Sequence, residues 1–177
     1  MQDSEDYGGV LGLEHQAVRF HDPTPVWAEL YRQEEGRIRA ALGVLLVDIQ
    51  HYGSTAVPGI KAKPILDIMV GIGRFEDGPQ CIAPLEALGY EYAPQAGIPG
   101  DYTFGKGECR THLVHVVEYG GTNWRECLHF RDALRRDPAL AREYEELKVA
   151  LGQQYGHSRA EYTEGKTAFI QRVKSAA

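Results

Sequence analysis

Apolar residues recur at helical spacing from residue 25 to residue 42, where Val26, Trp27, Leu30, Tyr31, Ile38 and Leu42 share one broad face. Thr24-Pro25 supplies a cap followed by proline at the first helical position, and Gly43 supplies the stop, so the pattern predicts a helix over 25–42. The period then changes. Residues 44–52 (VLLVDIQHY) are dense in aliphatic and β-branched types, and Asp48 and Gln50 interrupt only one alternating set, which predicts a strand with one well-buried face. The loop GSTAVPGIKAKP follows, and residues 65–71 (ILDIMVG) form a second apolar run carrying a single charge. A short helix is expected over 78–88, stopped by Gly89, and strands at 90–93, 101–105 and 110–118. Between the first two of these strands, APQAGIPGD reads as a loop placed to act as a lid.

The remainder is helical in pattern. Thr122 or Asn123 can cap WRECLHFRDALRR, and Asp137-Pro138 opens ALAREYEELKVALGQQYG. Ser158 and Glu161 stand at capping-box spacing ahead of a last helix that carries Tyr162, Phe169, Ile170 and Val173. Residues 1–17 lack periodicity and are expected to form a flexible tail ahead of one domain spanning 18–177. Helix, strands with one helix inserted, then helices is the order of an α+β fold: one sheet covered by helices, with a helical C-terminal third.

Composition narrows the function classes. With 43% hydrophobic and 25% charged residues, the 177-residue chain can build a core, which excludes global disorder. No apolar run approaches the ~20 residues a bilayer-spanning helix needs, so no membrane partner is expected. Nineteen Lys and Arg against twenty-five Asp and Glu give a net charge of -6, which argues against wrapping duplex nucleic acid, where phosphate neutralisation dominates affinity. A local basic pocket for a small phosphorylated ligand or nucleotide remains open. Cys81, Cys109 and Cys127 form no CxxC pair and suggest neither a zinc knuckle nor a disulfide framework. With an acidic N-terminus unlike a signal peptide, a cytoplasmic setting is expected; oligomeric state is open.

The strongest chemical signal is HYGSTAVPGIKAKPILDIMV, residues 51–70. It reads as strand, glycine turn, loop, strand. Gly53 admits a backbone conformation closed to other residues. Ser54 and Thr55 bring hydroxyls and N–H groups to the strand end, where successive amides can make an anion-binding nest. Lys61 and Lys63 add positive charge nearby. Asp67 stands among Ile65, Leu66, Ile68 and Val70, where a carboxylate is costly unless it binds a cation, accepts hydrogen bonds or opens on a cleft. Taken singly, each feature has a plainer explanation: a Gly-Ser turn ends many strands, and a strand Asp is often a satisfied structural group.

This block resembles the signature of the GrpB family. The resemblance runs on through DPTPVWAELYRQEEGRIRAALG before it and RTHLVHVV, CLHFRDALRRDP, AREYEELKVAL and AEYTEGKTAFI after it, covering about residues 20–172. It implies a nucleotidyltransferase-like mixed sheet flanked by helices. In that superfamily a Gly-Ser pair and turn amides hold the terminal phosphates of a nucleotide, and two alternating carboxylates on a following strand hold two metal ions. Here Gly53-Ser54 is followed by twelve residues and then Asp67. The resemblance thus implies phosphate binding by Gly53, Ser54 and Thr55, with Lys63 neutralising charge. Asp67 would be the ligand of a divalent cation, Mg or Mn.

The chain departs from the pattern two residues later. Positions i and i+2 of a strand share a face, and the partner of Asp67 is Met69, which cannot ligate a hard cation. A further ligand is expected from strand 110–118, where His115 shares a face with Leu113 and Val117 and is the candidate metal ligand or general base. One Asp with one His is a poor site for two magnesium ions; it suits one softer metal, or none. Arg110, Arg131 and Lys166 are the remaining candidates for phosphate, each equally readable as an exposed strand residue, a helix salt bridge or a snorkelling stem. Tyr52, Tyr90, Tyr92 and Tyr102 fall near the cleft strands as possible stacking platforms. Two functions follow: transfer of a nucleoside monophosphate from a nucleoside triphosphate to a small acceptor, or a non-catalytic nucleotide-binding or accessory module on the same scaffold. The family's fusion to a dephospho-coenzyme-A kinase suggests the accessory role.

Overall fold

The computed structural model describes residues 7–96 and 98–175. Eleven regular elements follow one another. They are α1 (Val26–Leu42), β1 (Leu46–Tyr52), β2 (Leu66–Ile72), α2 (Ile82–Ala87), β3 (Tyr90–Tyr92), β4 (Tyr102–Lys106) and β5 (His112–Glu118), then α3 (Thr122–Arg136), α4 (Pro138–Gln154), α5 (Arg159–Gly165) and α6 (Thr167–Lys174). The strands form one mixed sheet in the order β1-β2-β5-β4-β3. β1 pairs antiparallel with β2, β2 runs parallel to β5, and β4 pairs antiparallel with both β5 and β3. The fold is α+β, as the order of elements predicts.

Strand alternation decides what each side of the sheet holds. One face carries Ile49, Ile68, Val70, Ile72, Val114 and Val116, all buried, under Ile38 and Leu42 of α1 and Leu85 of α2. The opposite face carries Asp67, Met69, Leu113 and His115, in register across the parallel pair as Asp67↔Leu113 and Met69↔His115. This second face meets the C-terminal helices, which have their own core of Leu134, Ala141, Tyr144, Phe169 and Val173. The chain thus builds an apolar layer on one side of the sheet and a polar, helix-roofed space on the other.

Local signals account for most boundaries. The Asp137 carboxylate accepts from the amides of Ala139 (2.9 Å) and Leu140 (3.1 Å), with Pro138 in the first turn. Ser158 caps α5 through the Glu161 amide. Gly43, at φ 51, ends α1 and starts a single 3-10 turn, so β1 begins at Leu46 and not at residue 44.

Four expectations are corrected. The helix expected over 78–88 divides into a 3-10 segment, Phe75–Cys81, which contains Pro79, and the short α2. The last helix is broken after Gly165, which packs so closely on Leu151 that a Cβ there would lie 2.5 Å from its Cδ2. Asn123 does not cap α3; its amide donates to the carbonyls of Pro99 and Gly100. Residues 7–17 are not a loose tail: Leu11 and Leu13 are buried, Leu13 bridges to Arg110, and Trp27 Nε1 donates to the Val10 carbonyl. Residues 1–6 of the expected tail lie outside the described residues.

Candidate anion-binding site

β1 and β2 are joined by the Gly53 turn, and the turn's geometry explains its glycine. Gly53 has φ 73 and ψ -175, and a Cβ there would lie 2.3 Å from Asp67 Oδ2. A side chain is excluded both by the backbone conformation and by the carboxylate lying against the chain. Tyr52 pairs with Asp67 across the sheet, so the register of β1 on β2 fixes this contact. A single 3-10 turn, Ser54–Ala56, follows.

The turn opens on a cavity of about 300 Å³ between the polar sheet face and the helical layer. Gly53, Ser54, Thr55 and Asp67 form part of its wall. The charge of the wall is lopsided. Lys63, Arg131, Lys148, Arg159, Lys166 and Lys174 line it, and Asp67 is the one carboxylate among its described lining residues. In a protein of net charge -6, six cations converge from the loop before β2 and from α3, α4, α5, the α5–α6 junction and α6.

Two of the six are spent on neighbours. Arg131 donates to Asp132 Oδ1 (2.8 Å), Gln50 Oε1 (3.0 Å) and the His51 carbonyl (2.8 Å), which makes it a strut between α3 and β1. Lys174 pairs with Glu126 at 3.0 Å. The other four have no carboxylate within ion-pair distance among the described residues. Aromatic faces seat three of these: Lys63 and Lys166 lie 5.2 and 4.5 Å from the Tyr162 ring centroid, and Lys148 lies 5.0 Å from that of Tyr144. Lys148 also donates to the Lys61 carbonyl (2.7 Å), while Glu145 accepts from the Lys61 amide (2.6 Å), so α4 grips that peptide from both sides.

Crowding shows in the protonation equilibria. Burial, then repulsion from Lys166 and Arg159, lowers Lys63 from 10.5 to about 7. Burial, then Lys166, lowers Lys148 to about 7, with Lys63 adding to the effect. Burial lowers Lys166 to about 8 despite attraction to Asp67. Burial raises Asp67 above its ordinary value, against the pull of His115, Lys63, Lys166 and Arg159. An anion in the cavity would reverse the lysine shifts, because an opposite charge favours the ammonium form.

The sequence-derived candidates are distributed unevenly around this cavity. Gly53, Ser54, Lys63, Asp67 and Lys166 are brought together at its wall, which Tyr144 also lines. Thr55 is also there, but its hydroxyl is committed: it donates to the Ile65 carbonyl (3.4 Å) and accepts from His51 Nε2 (2.9 Å). His51 is neutral, its pKa lowered to about 3 by burial and by Arg135 and Arg131. Arg131 lies at the wall with most of its donors used. Arg110 does not line the cavity; its guanidinium lies over Gly105, where a Cβ would be 2.0 Å from it. Lys61 is exposed and pairs with Asp22.

His115 sits beside the site and not in its wall. Its Nδ1 is 2.6 Å from Asp101 Oδ2, and its ring meets Tyr52 edge-on at 5.6 Å. Burial pulls its pKa down, but the hydrogen bond and charge of Asp101, with Asp67, leave it raised. Asp101 Oδ1 is buried with no partner. The loop 93–101, read as a lid, lines no part of the cavity among the described residues; Asn123 pins its end, and Gly97 lies outside the described residues. Of the four tyrosines proposed as platforms, only Tyr52 reaches the cavity; Tyr90 donates to buried Glu34, and Tyr92 and Tyr102 pack on Phe104 and Phe75.

Lys148, Arg159, Lys174 and Asp101 are absent from the sequence-derived set. Lys148 had a signal: it occupies the buried stripe Ala141, Tyr144, Lys148, Leu151 of α4, where an apolar residue is the rule. Arg159, Tyr162 and Lys166 recur at i, i+3 and i+7, one helical face. Nothing local marks Asp101.

The donor set does not fit a pair of divalent cations. Met69 is buried against Val117 and Trp124 at the position of a second carboxylate, His115 is engaged by Asp101, and no group of three His, Cys, Asp or Glu able to hold a metal ion occurs among the described residues.

The sequence model of the family described as GrpB protein matches residues 17–176. The chain belongs to the GrpB family. The Glutamate-rich protein GrpB of Alkalihalophilus pseudofirmus is 36% identical over 170 residues, 93% of this chain and 98% of that protein. The crystal structure of GrpB from Enterococcus faecalis superposes with a TM-score of 0.81 at 32% identity, covering 89% of this chain and 96% of that one. The Cid1 poly(U) polymerase superposes with a TM-score of 0.53 at 14% identity, covering 81% of this chain and 49% of Cid1. That likeness establishes a nucleotidyltransferase-like fold for this GrpB-family chain. Among the described residues no helix is long and apolar enough to cross a membrane.

Proposed function

We propose that this GrpB-family protein binds a small phosphorylated ligand of the nucleotide class in the cavity beside Gly53 and Ser54. The observation that carries the reading is the convergence of Lys63, Lys148, Arg159 and Lys166 on that cavity, none of them in an ion pair among the described residues. Gathering four cations, one buried and three partly buried, around a cavity with a single carboxylate is unfavourable in the empty protein. A ligand carrying phosphate supplies the missing charge and accepts their hydrogen bonds. The nucleotidyltransferase-like fold supports the nucleotide class, because in that fold the Gly-Ser turn is the phosphate end of the site.

Thermal-shift titration across nucleoside mono-, di- and triphosphates and phosphorylated sugars tests this reading. A ligand present at 100 times its Kd stabilises by about 2.7 kcal/mol, a rise of about 5–11 °C for a domain of this size. Absence of any shift across that series, together with no heat of binding, overturns it.

A second reading, nucleoside monophosphate transfer, is favoured by one contact: the Asp67 carboxylate lies against the Gly53 turn, where it would meet the phosphate end of a bound nucleotide. Incubation with labelled nucleoside triphosphates and an acceptor library, followed by product analysis, tests it. Turnover lost in Asp67→Asn supports transfer; turnover absent throughout the library leaves the protein a binding module.

A further inference from the structure

The side chains that do not suit divalent cations suit an ion of the opposite sign. Among the described residues, four cations without ion pairs, Lys63, Lys148, Arg159 and Lys166, line the cavity with a single carboxylate, Asp67. Fully protonated, they leave a surplus of three positive charges in a cavity of about 300 Å³. We propose that the cavity takes a compact polyanion, a chain of two or three phosphates, and that these four side chains neutralise it without a divalent metal ion. The inference rests on the reading that the cavity holds a phosphorylated ligand; it adds the charge of that ligand and what compensates it.

Three observations carry it. The first is stoichiometric. One phosphoryl group brings about 1.5–2 negative charges at pH 7, too few for the surplus, whereas two or three linked groups match it. The second is positional. The rings of Tyr162 and Tyr144 seat the ammonium groups of three lysines by cation–π contact, which holds them in place before the ligand arrives. These rings are covered by lysines, which removes them as stacking platforms for a base and leaves the phosphate chain as the part that is gripped. The third is exclusion. A dication beside Asp67 would stand among the cations of the wall, with buried Met69 in place of a second carboxylate. The ligand's metal complex also carries less charge than the free chain, so it satisfies the wall less well.

The size of the cavity agrees. It stands at the lower end of the about 300–1,000 Å³ of ligand sites, which suits a short phosphate chain better than a large ligand held along its whole length.

Isothermal titration calorimetry of the full chain with inorganic tripolyphosphate, in EDTA and in magnesium chloride, tests the proposal. Binding in EDTA that weakens when magnesium is added is the expected result. Each lost charge-assisted contact should weaken binding about ten- to a hundred-fold, so Lys63→Met and Lys166→Met should each show that loss. Arg159→Ala serves the same purpose should either lysine variant fail to fold. Lys61→Met, which removes an exposed lysine outside the cavity, should bind like the parent. Orthophosphate should bind at least about ten-fold more weakly than tripolyphosphate. A nucleoside triphosphate binding as tightly as tripolyphosphate means that the chain alone is read; tighter binding means that the nucleoside adds contacts, and either supports the proposal. Tripolyphosphate binding that requires magnesium overturns the inference and leaves the phosphorylated-ligand reading standing. No binding of any phosphate probe to a folded protein overturns both.

Discussion

Lys63 should be a liability to the empty protein. Its ammonium group is desolvated and faces Lys166 and Arg159, and its pKa falls from 10.5 to about 7. At 1.36 kcal/mol per pKa unit, holding it in place costs folding at most about 5 kcal/mol at pH 7. Partial exposure and screening bring this to about 3 kcal/mol. Substitution by methionine keeps most of the stem volume and forfeits a cation–π contact over Tyr162 worth about 1 kcal/mol. Lys63→Met should therefore stabilise the ligand-free protein by about 2 kcal/mol near pH 7, a rise of about 4–8 °C in Tm. The sign with pH is fixed by linkage. The unfolded chain keeps its proton up to pH 10.5, and the folded chain only to about 7, so the parent gains stability as pH rises between these values. The advantage of the variant is full below pH 7, declines through 7–10.5 and is gone above it. Urea denaturation of parent and variant across this range measures the difference directly. A variant less stable than the parent at pH 7, or a difference that does not change between pH 7 and 10, would refute the electrostatic reasoning.

Other side chains give sharp outcomes. Gly53→Ala combines φ 73 with a Cβ 2.3 Å from Asp67 Oδ2; it should cost at least about 2 kcal/mol in chemical denaturation, and a loss under about 0.5 kcal/mol would show that the turn is not built as described. Asp67→Asn removes the one negative charge of the wall and should bind tripolyphosphate at least as tightly as the parent by calorimetry; a ten-fold loss would contradict metal-free binding. Asp101→Asn deprives His115 of the carboxylate 2.6 Å from its Nδ1, so the His115 pKa should fall below the ordinary imidazole value in an NMR titration, and an unchanged value would sink the pairing.

Much of the fold was legible in the sequence, because its elements are specified locally. Thr24-Pro25, Asp137-Pro138 and Ser158 with Glu161 mark three helix starts, and the two apolar runs around Gly53 are the antiparallel pair β1 and β2, with β1 at the edge of the sheet. The spacing from Ser54 to Asp67 told of a shared hollow because register on β1 leaves Asp67 opposite Tyr52, beside the turn. The misreadings have tertiary causes. Nothing near Leu13 in sequence foretells its bridge to Arg110, and a break at Gly165 depends on Leu151, a turn of another helix. Arg110 seemed free to reach phosphate only until Gly105 gave it a place to lie. The cations of the wall come from separated segments, so no window of sequence contains them together: Lys63, Arg131 and Lys166 stood out one by one, while Lys148 passed unnoticed although a lysine on a buried stripe is a legible signal.

The most direct test is a crystal structure grown with tripolyphosphate in the presence of EDTA. Density for a phosphate chain between Lys63, Lys148, Arg159 and Lys166, with one end beside Ser54, is the predicted result. An empty cavity at a concentration that saturates the protein in solution, or a chain bound elsewhere on the surface, would contradict it.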